Sequence, residues 1–441
     1  MKRTLLRRGL LLAGAAAAIG GTVMATAPAG AVIPPPGVNV IAAGGSDTTE
    51  AFMQAYLNGR TSSTDSGTTY VVSTRNIPAL APAGQTTVVP GDADCPNGTI
   101  TFGPAANAGT AAGTQYTSTS ATTYPTPNGS SAGRRFLVDQ RIADPDAACL
   151  DIARSSSTPG IAGETSSAQY YAFALDAITW ATQSSYAPAT LTAAQIDGIY
   201  ACQFNNWNQV GGSDMPIQRL MANAGSGSRA FFMSTFGITD AELAINTGPN
   251  GTCPATLQTG LQENEGTVIP RAHRETGIIG YSAGRWAYQA NNAGNPTVDL
   301  RAGIRLGGYT TGAATPVRGL PIEFLPGDNA YQLDTISDPG RPATVGESNI
   351  GLANPAFNAT TDFRGIRYLF NVIDANSPSF LPSRGLVGFN NVPGGSLSPL
   401  CNPANGAGDA LADFGFARLN TDNPVGSNAA GSTCRRFLGT G

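Results

Sequence analysis

The sequence predicts a layered α/β protein. Three observations carry that expectation. Short strand-like apolar runs alternate with helical patterns along most of the chain. Three loops rich in glycine and hydroxyl residues each open a helix, the first of them after a strand-like run. They are Gly44-Gly45-Ser46-Asp47-Thr48-Thr49, Asn128-Gly129-Ser130-Ser131-Ala132-Gly133 and Gly225-Ser226-Gly227-Ser228-Arg229. Two strong apolar runs, 170–180 and 363–373, lie far apart and suit buried or crossing strands.

In chain order, residues 38–42 read as a short buried strand, and Gly44-Gly45 turns the chain. Asp47 or Thr48 is placed to cap the helix that follows. Ala51, Phe52, Tyr56 and Leu57 give that helix an apolar stripe, and Gly59 ends it. Residues 70–73 read as the next strand. From about 78 to 127 the chain is rich in Thr, Ala, Gly and Pro. It reads as a decorated surface insertion partly anchored by Cys95. Residues 129–138 read as turn then helix, and 149–153 as a strand leading into Arg154-Ser155-Ser156-Ser157. Thr192 precedes a helical pattern over 191–200, and 229–236 is a short amphipathic helix ended by Gly237. Residues 277–281 read as a buried strand. The stretch 282–360 is turn-rich with few periodic signals. The tail after Cys401 is loop-rich, with Phe414-Gly415-Phe416 as its apolar anchor.

Lys2, Arg3, Arg7 and Arg8 precede an apolar stretch over about 9–25, and Ala29-Gly30-Ala31 fits a small-residue cleavage site. Residues 1–31 therefore read as a secretory signal peptide, with Val32 as the mature start. The Arg7-Arg8 pair hints at twin-arginine export, but its surrounding motif is incomplete, so an ordinary Sec signal stays open. No later apolar run is long enough to span a bilayer. The chain has 25 basic and 29 acidic residues, and loss of the signal leaves 21 basic against 29 acidic. That balance argues against a nucleic-acid partner. It does not exclude anion binding, because a few local donors outweigh a diffuse negative field. Six cysteines remain: Cys95, Cys149, Cys202, Cys253, Cys401 and Cys434. In an exported chain an even count favours three disulfides, with 15 connectivities open. One histidine and no Cys-x-x-Cys make a metal site a poor alternative.

The loops carry the chemistry. A helix start presents unpaired N–H groups and a partial positive charge. Glycine lets the backbone approach closely, Ser and Thr add hydroxyl donors, and Arg adds a bidentate clamp. Ser226-Gly227-Ser228-Arg229 holds all three components, and Arg154-Ser155-Ser156 is a second cluster of that kind. Any one loop reads most simply as a capped helix start; together they point to a receptor that wraps a small oxyanion.

The ordered set of stretches resembles the phosphate-receptor group of periplasmic-type solute-binding proteins, and more closely their exported actinobacterial relatives. The matching stretches are 45–49, 127–133, Leu150-Asp151-Ile152-Ala153-Arg154-Ser155-Ser156, 191–207, 225–229 and Gly277-Ile278-Ile279-Gly280-Tyr281. The resemblance implies a type II-like fold of two α/β lobes joined by two crossing strands, with the ligand in the cleft and hinge closure. Lobe one would hold residues 32–176 and 365–441, and lobe two 177–364. Sequential cysteine pairing is then expected, because each neighbouring pair falls within one lobe. Ligand contacts are expected from Asp47, Thr48, Ser130, Ser156, Ser226, Gly227 and Ser228, with Arg154 and Arg229 as candidate clamps. No cofactor is implied. The expected partners are inorganic phosphate or a similar oxyanion and an ABC permease, and the expected state is a monomer.

The chain departs from the receptor pattern in three places. Ser156 stands where many phosphate receptors carry an aspartate that accepts the proton of hydrogen phosphate, and Asp47 can stand in for it. Ala222 stands where many carry an arginine, for which Arg229 or Arg154 can substitute. The first cysteine, Cys95, lies too far along to be a lipoprotein anchor. An exported envelope protein that kept the fold without phosphate uptake is the alternative. An enzyme is not expected. Gly280-Tyr281-Ser282-Ala283-Gly284 matches a nucleophile elbow, but the one histidine, His273, precedes the serine. His273 reads as a solvated loop residue. Glu263 and Glu265 read as surface acids with no role.

Overall fold

The computed structural model describes residues 37–79, 86–90, 95, 98–103, 123–144, 148–253, 256–310, 321–325, 330–333, 365–392, 395–405, 407, 409–419 and 431–439. The expected signal peptide lies outside the described residues. The protein is mixed α/β, built on one large sheet with helices on its faces.

The chain enters through β1 (Val38–Gly45). Val40 and Ala42 point into one core cluster, and Ile41 and Ala43 into another. A strand covered on both faces reads as an unbroken apolar run, which is why its sequence shows no alternation. Next come α1 (Glu50–Leu57) and the hairpin of β2 (Ser62–Asp65) and β3 (Thr68–Asn76). β3 pairs in parallel with β1.

The segment expected as a surface insertion has a buried part. There β4 (Thr87–Val89), β5 (Ile100–Gly103) and β6 (Thr123–Pro125) form a small sheet. Phe102 and Tyr124 set their rings 5.4 and 5.1 Å from that of Phe136, on α2 (Ser130–Ala143). Composition concealed these aromatics because Thr, Ala and Gly surround them. Then β7 (Ile152–Ser155) pairs in parallel with the end of β1.

β8 (Ala168–Thr182) is buried along nearly its whole length and serves both sides of the molecule. Its first part pairs antiparallel with β19, its last part with β14. Beyond it come β9 (Thr190–Thr192) and α3 (Ala193–Tyr200), which Thr192 and Gln195 close with a reciprocal capping box. Next are β10 (Gln218–Ala222), α4 (Gly227–Phe236) and α5 (Asp240–Leu243). They are followed by the short pair β11 (Thr247–Gly248) and β12 (Gly251–Thr252), then β13 (Gln258–Leu261) and β14 (Gly277–Ser282). β10 lies parallel to both β13 and β14.

The stretch after Ser282 is not all turns, as expected: it opens with α6 (Ala283–Asn291). Its apolar face is short, and Trp286 is the anchor that periodicity undervalues, with Nε1 donating to Ile304 O at 2.9 Å. β15 (Arg305–Leu306), β16 (Gly308–Thr310), β17 (Ile322–Leu325) and β18 (Ala330–Leu333) follow.

β19 (Ile366–Asp374) brings the chain back, running between β8 and β7. It is buried on both faces, with Tyr368, Phe370 and Val372 in one cluster and Leu369 and Ile373 in the other. α7 (Phe380–Val387) is tied to the β2–β3 hairpin by Arg384, which holds Asp65 through two bonds of 2.9 and 2.6 Å. β20 (Ala417–Arg418) and β21 (Arg435–Leu438) add to β8. The sheet order is β13-β10-β14-β8-β19-β7-β1-β3-β2. Two parallel patches, β13-β10-β14 and β7-β1-β3, are thus separated by β8 and β19, which pair antiparallel with each other and with the strands that flank them. No helix among the described residues is long and apolar enough to cross a membrane.

The cysteines pair sequentially, Cys95 with Cys149, Cys202 with Cys253 and Cys401 with Cys434. The last closes a loop of 33 residues and holds the tail on the apolar cluster under α1 and α7. Loops of this size are worth roughly 2–4 kcal/mol of stability when bridged. The double variant Cys401→Ser/Cys434→Ser is expected to lose about that much, read as a lowered denaturant midpoint with a steeper slope, because the unbridged unfolded chain exposes more surface.

Candidate functional site

The site is assembled where three strands end and two helices begin. β1 ends at Gly45, whose φ of +121° no side chain adopts comfortably and where a Cβ would strike Arg154 O. This places Ser46 against the end of β7, with Ser46 N donating to Arg154 O at 3.0 Å. Gly45 also forms an isolated bridge to Asn128, just ahead of α2. Three loops from distant parts of the chain are therefore set side by side by backbone pairing alone.

The start of α2 meets the start of α4. Ser131 N donates to Gly225 O at 3.1 Å. Gly129 has φ +100° and ψ 166°, a conformation essentially reserved for glycine, and its Cβ would collide with the Gly225 carbonyl. A Cβ on Gly227 would collide with the hydroxyls of Ser130, Ser156 and Ser157. Both glycines are required by close approach across this junction. Ser130 Oγ accepts from Ser156 N at 2.9 Å and lies 3.1 Å from Ser156 Oγ, which in turn lies 3.2 Å from Ser46 Oγ. Ser226 caps α4, its Oγ accepting from Arg229 N at 3.0 Å. Thr48 Oγ1 and Ser228 Oγ are 3.3 Å apart.

The cation at this junction is Arg367, from the start of β19. Its Nη2 donates to Ser228 Oγ at 2.9 Å, Thr48 Oγ1 at 3.2 Å and Asp176 Oδ2 at 2.8 Å. Asp176, on β8, also accepts from Arg367 Nε at 3.0 Å, Ser282 Oγ at 2.9 Å and Gly284 N at 3.0 Å. Arg367 Nη1 is buried and has no hydrogen-bond partner. A cavity of about 20 Å³, bordered by Ser156, Phe231 and Arg367 among others, opens beside it.

The residues after β13 complete the wall. Asn264, at φ +60°, donates to Asp47 Oδ2 at 3.2 Å and to Thr48 Oγ1 at 3.4 Å. Its Oδ1 accepts from Ser282 N at 2.9 Å. Glu263 is fully buried, and its Oε2 accepts from Ser226 Oγ and from Ser228 N, the latter at 3.3 Å. Burial, and after it the charge of Asp47, pushes the Glu263 carboxyl up from its ordinary range. Glu265 is pushed up to about 7, by burial first and then by Asp47, with Arg285 opposing.

Several expectations change here. Glu263 is no surface acid: it sits on the first turn of α4. Neither Asp47 nor Thr48 caps α1; Thr49 precedes the helix and no side chain caps it. Both polar groups are committed instead to Asn264, Ser228 and Arg367. The structure brings together Asp47, Thr48, Ser130, Ser156, Ser226, Gly227 and Ser228. Arg154 lies behind them, donating to Ser46 O at 3.1 Å, Gly45 O at 3.4 Å and Asn76 Oδ1, and facing Glu50 at 3.6 Å. It holds the β1–α1 loop rather than pointing through it. Arg229 turns outward to Ala222 O at 3.3 Å and Asp240 at 3.5 Å. Ser282 serves as the cap of α6, accepting from Arg285 N at 3.1 Å.

Sequence reasoning missed Arg367, Asp176, Glu263 and Asn264. The available signal was a charge inside each apolar run, Asp176 alone in 170–180 and Arg367 close to Arg364 in 363–373. Chemically, the junction concentrates hydroxyls, helix N–H groups and one guanidinium in a buried volume.

A family model described as a PBP superfamily domain matches residues 97–341, more than half of the chain. No curated protein matches the chain. Among solved structures, the chain is similar to a putative phosphate ABC transporter substrate-binding protein with bound phosphate from Clostridium perfringens. Identity there is 14%, with 78% of this chain and 93% of that one covered and a TM-score of 0.39. It is also similar to PstS from Borrelia burgdorferi, at 14% identity over 86% of this chain and 98% of that one, TM-score 0.34. A phosphate-binding protein from Stenotrophomonas maltophilia gives 13% identity over 86% and 90%, TM-score 0.39. With the match spanning residues 97–341, this α/β chain belongs to the PBP superfamily.

Proposed function

We propose that the chain is an extracytoplasmic solute-binding protein for a small oxyanion, with phosphate the first candidate, that delivers its ligand to an ABC importer. The observation that carries this proposal is the unpartnered Nη1 of Arg367, buried where the starts of α2 and α4 converge. A buried charged donor without an acceptor is costly, and a bound oxyanion supplies the acceptor. Asp47, Thr48, Ser130, Ser156, Ser226, Gly227 and Ser228 are the proposed contacts. Ser and Thr hydroxyls can reorient from one another to the ligand at little cost.

Residues 32–176 and 365–441 would form one lobe and 177–364 the other, hinged at β8 and β19. Export through a signal peptide at 1–31 suits three disulfides, which persist in oxidising compartments. Hydrogen phosphate would donate its proton to Asp47, so equal binding of sulfate would overturn that role.

Calorimetry with inorganic phosphate tests the function. Ser228→Ala is expected to weaken binding by about tenfold or more, the worth of a charge-assisted hydrogen bond. No phosphate binding by the wild-type chain, with a protein or glycan captured instead, would favour the envelope-interaction alternative. Gly129→Ala tests closure. A Cβ there meets the Gly225 carbonyl, so phosphate affinity falls and the scattering radius no longer contracts on phosphate addition. A thermal scan separates this from the cost of the strained φ.

A further inference from the structure

Glu263 occupies the place an anion would take. Its Oε2 receives Ser226 Oγ and Ser228 N, the cap hydroxyl and a first-turn amide of α4. Both are donors that the proposed function assigns to the oxyanion. Its Oε1 is buried and has no partner. An internal carboxylate on a helix N-terminus is favourable for the same reasons as a bound phosphate. The two cannot share the same donors.

The surrounding charges make simultaneous occupation worse. Asp47 faces Glu263 from the loop after β1. Arg367 faces it from β19 but is already paired with Asp176 of β8, at 2.8 Å. Arg285, on α6, is directed to Asp47 and Glu265. Adding an oxyanion beside an ionised Glu263 would therefore crowd like charges around a single, already paired guanidinium.

We propose that Glu263 competes with the oxyanion for the α4 donors, so that binding is coupled to uptake of one proton. This rests on the oxyanion reading. The balance is simple: the ionised protein takes one proton from solvent at a Glu263 oxygen as the anion enters. The carboxyl leaves Ser228 N to the ligand and changes from acceptor to donor. Burial and Asp47 already bias Glu263 towards the protonated form.

The test is calorimetry with inorganic phosphate at about pH 6, 7 and 8, comparing the wild-type chain with Glu263→Gln. Comparison at each pH cancels the ionisation of phosphate itself. Once Glu263 ionises, wild-type affinity is expected to fall relative to the variant by up to roughly tenfold per pH unit, as one linked proton requires. Glu263→Asp keeps an acid and is expected to shift this dependence rather than remove it. In the wild-type chain, difference infrared spectra at about pH 8 should gain a protonated-carboxyl band on phosphate addition. Parallel pH profiles for wild type and Glu263→Gln, or no such band, overturn the proposal while leaving oxyanion binding intact. No phosphate binding by either chain at any pH overturns both.

Discussion

The buried pair of Arg367 and Asp176 is the interaction on which the rest of the structure depends. The two side chains are 2% and 0% exposed, on adjacent central strands. Such a pair repays its desolvation only when the remaining donors and acceptors are satisfied. Asp176 meets that condition through Ser282 and the start of α6. Arg367 meets it at Nη2, through Thr48 and Ser228, while its Nη1 has no partner. The first turns of α4 and α6 and the β1–α1 loop are therefore all referred to one ion pair at the centre of the sheet. Truncating either partner would leave an uncompensated charge where no water can reach it.

That arrangement explains how the hydroxyl loops become one site. Each loop follows the end of a strand or precedes a helix, so each brings backbone N–H groups as well as side chains. Glycine is used where backbones must nearly touch, at 45 and 129, and where serine hydroxyls crowd the backbone, at 227. The serines between them bond to one another, which keeps their hydroxyls satisfied and close together. The pattern suits a site whose donors are shared between protein and ligand rather than held in reserve.

The sequence made much of this legible, for definite physical reasons. The strands β8 and β19 were readable because strands covered on both faces are long, largely apolar runs. The start of α3 was readable because Thr192 stands ahead of a helical pattern. The loops at 45, 129 and 227 stood out because glycine beside hydroxyl residues is a local signal. Arg367 and Glu263 were not legible, since their roles depend on neighbours more than 100 or some 35 residues away. Nothing local distinguishes a buried Glu263 from an exposed one beside Gly266. Arg154 and Arg229 were misleading because adjacency in sequence says little about where a long side chain points. α6 was missed because its apolar face is only a few residues long, with Trp286 supplying most of its anchorage.

The three disulfides divide along the same line as the sheet. Cys95–Cys149 and Cys401–Cys434 brace elements around β1, β7 and β21, and Cys202–Cys253 braces the end of α3 beside β10 and β13. No disulfide runs from one parallel patch to the other. A fully oxidised chain is thus reinforced on either side of β8 and β19, while the pairing of these two strands is held by noncovalent contacts. Redox conditions can change how firmly each side is braced without touching the pairing of β8 with β19.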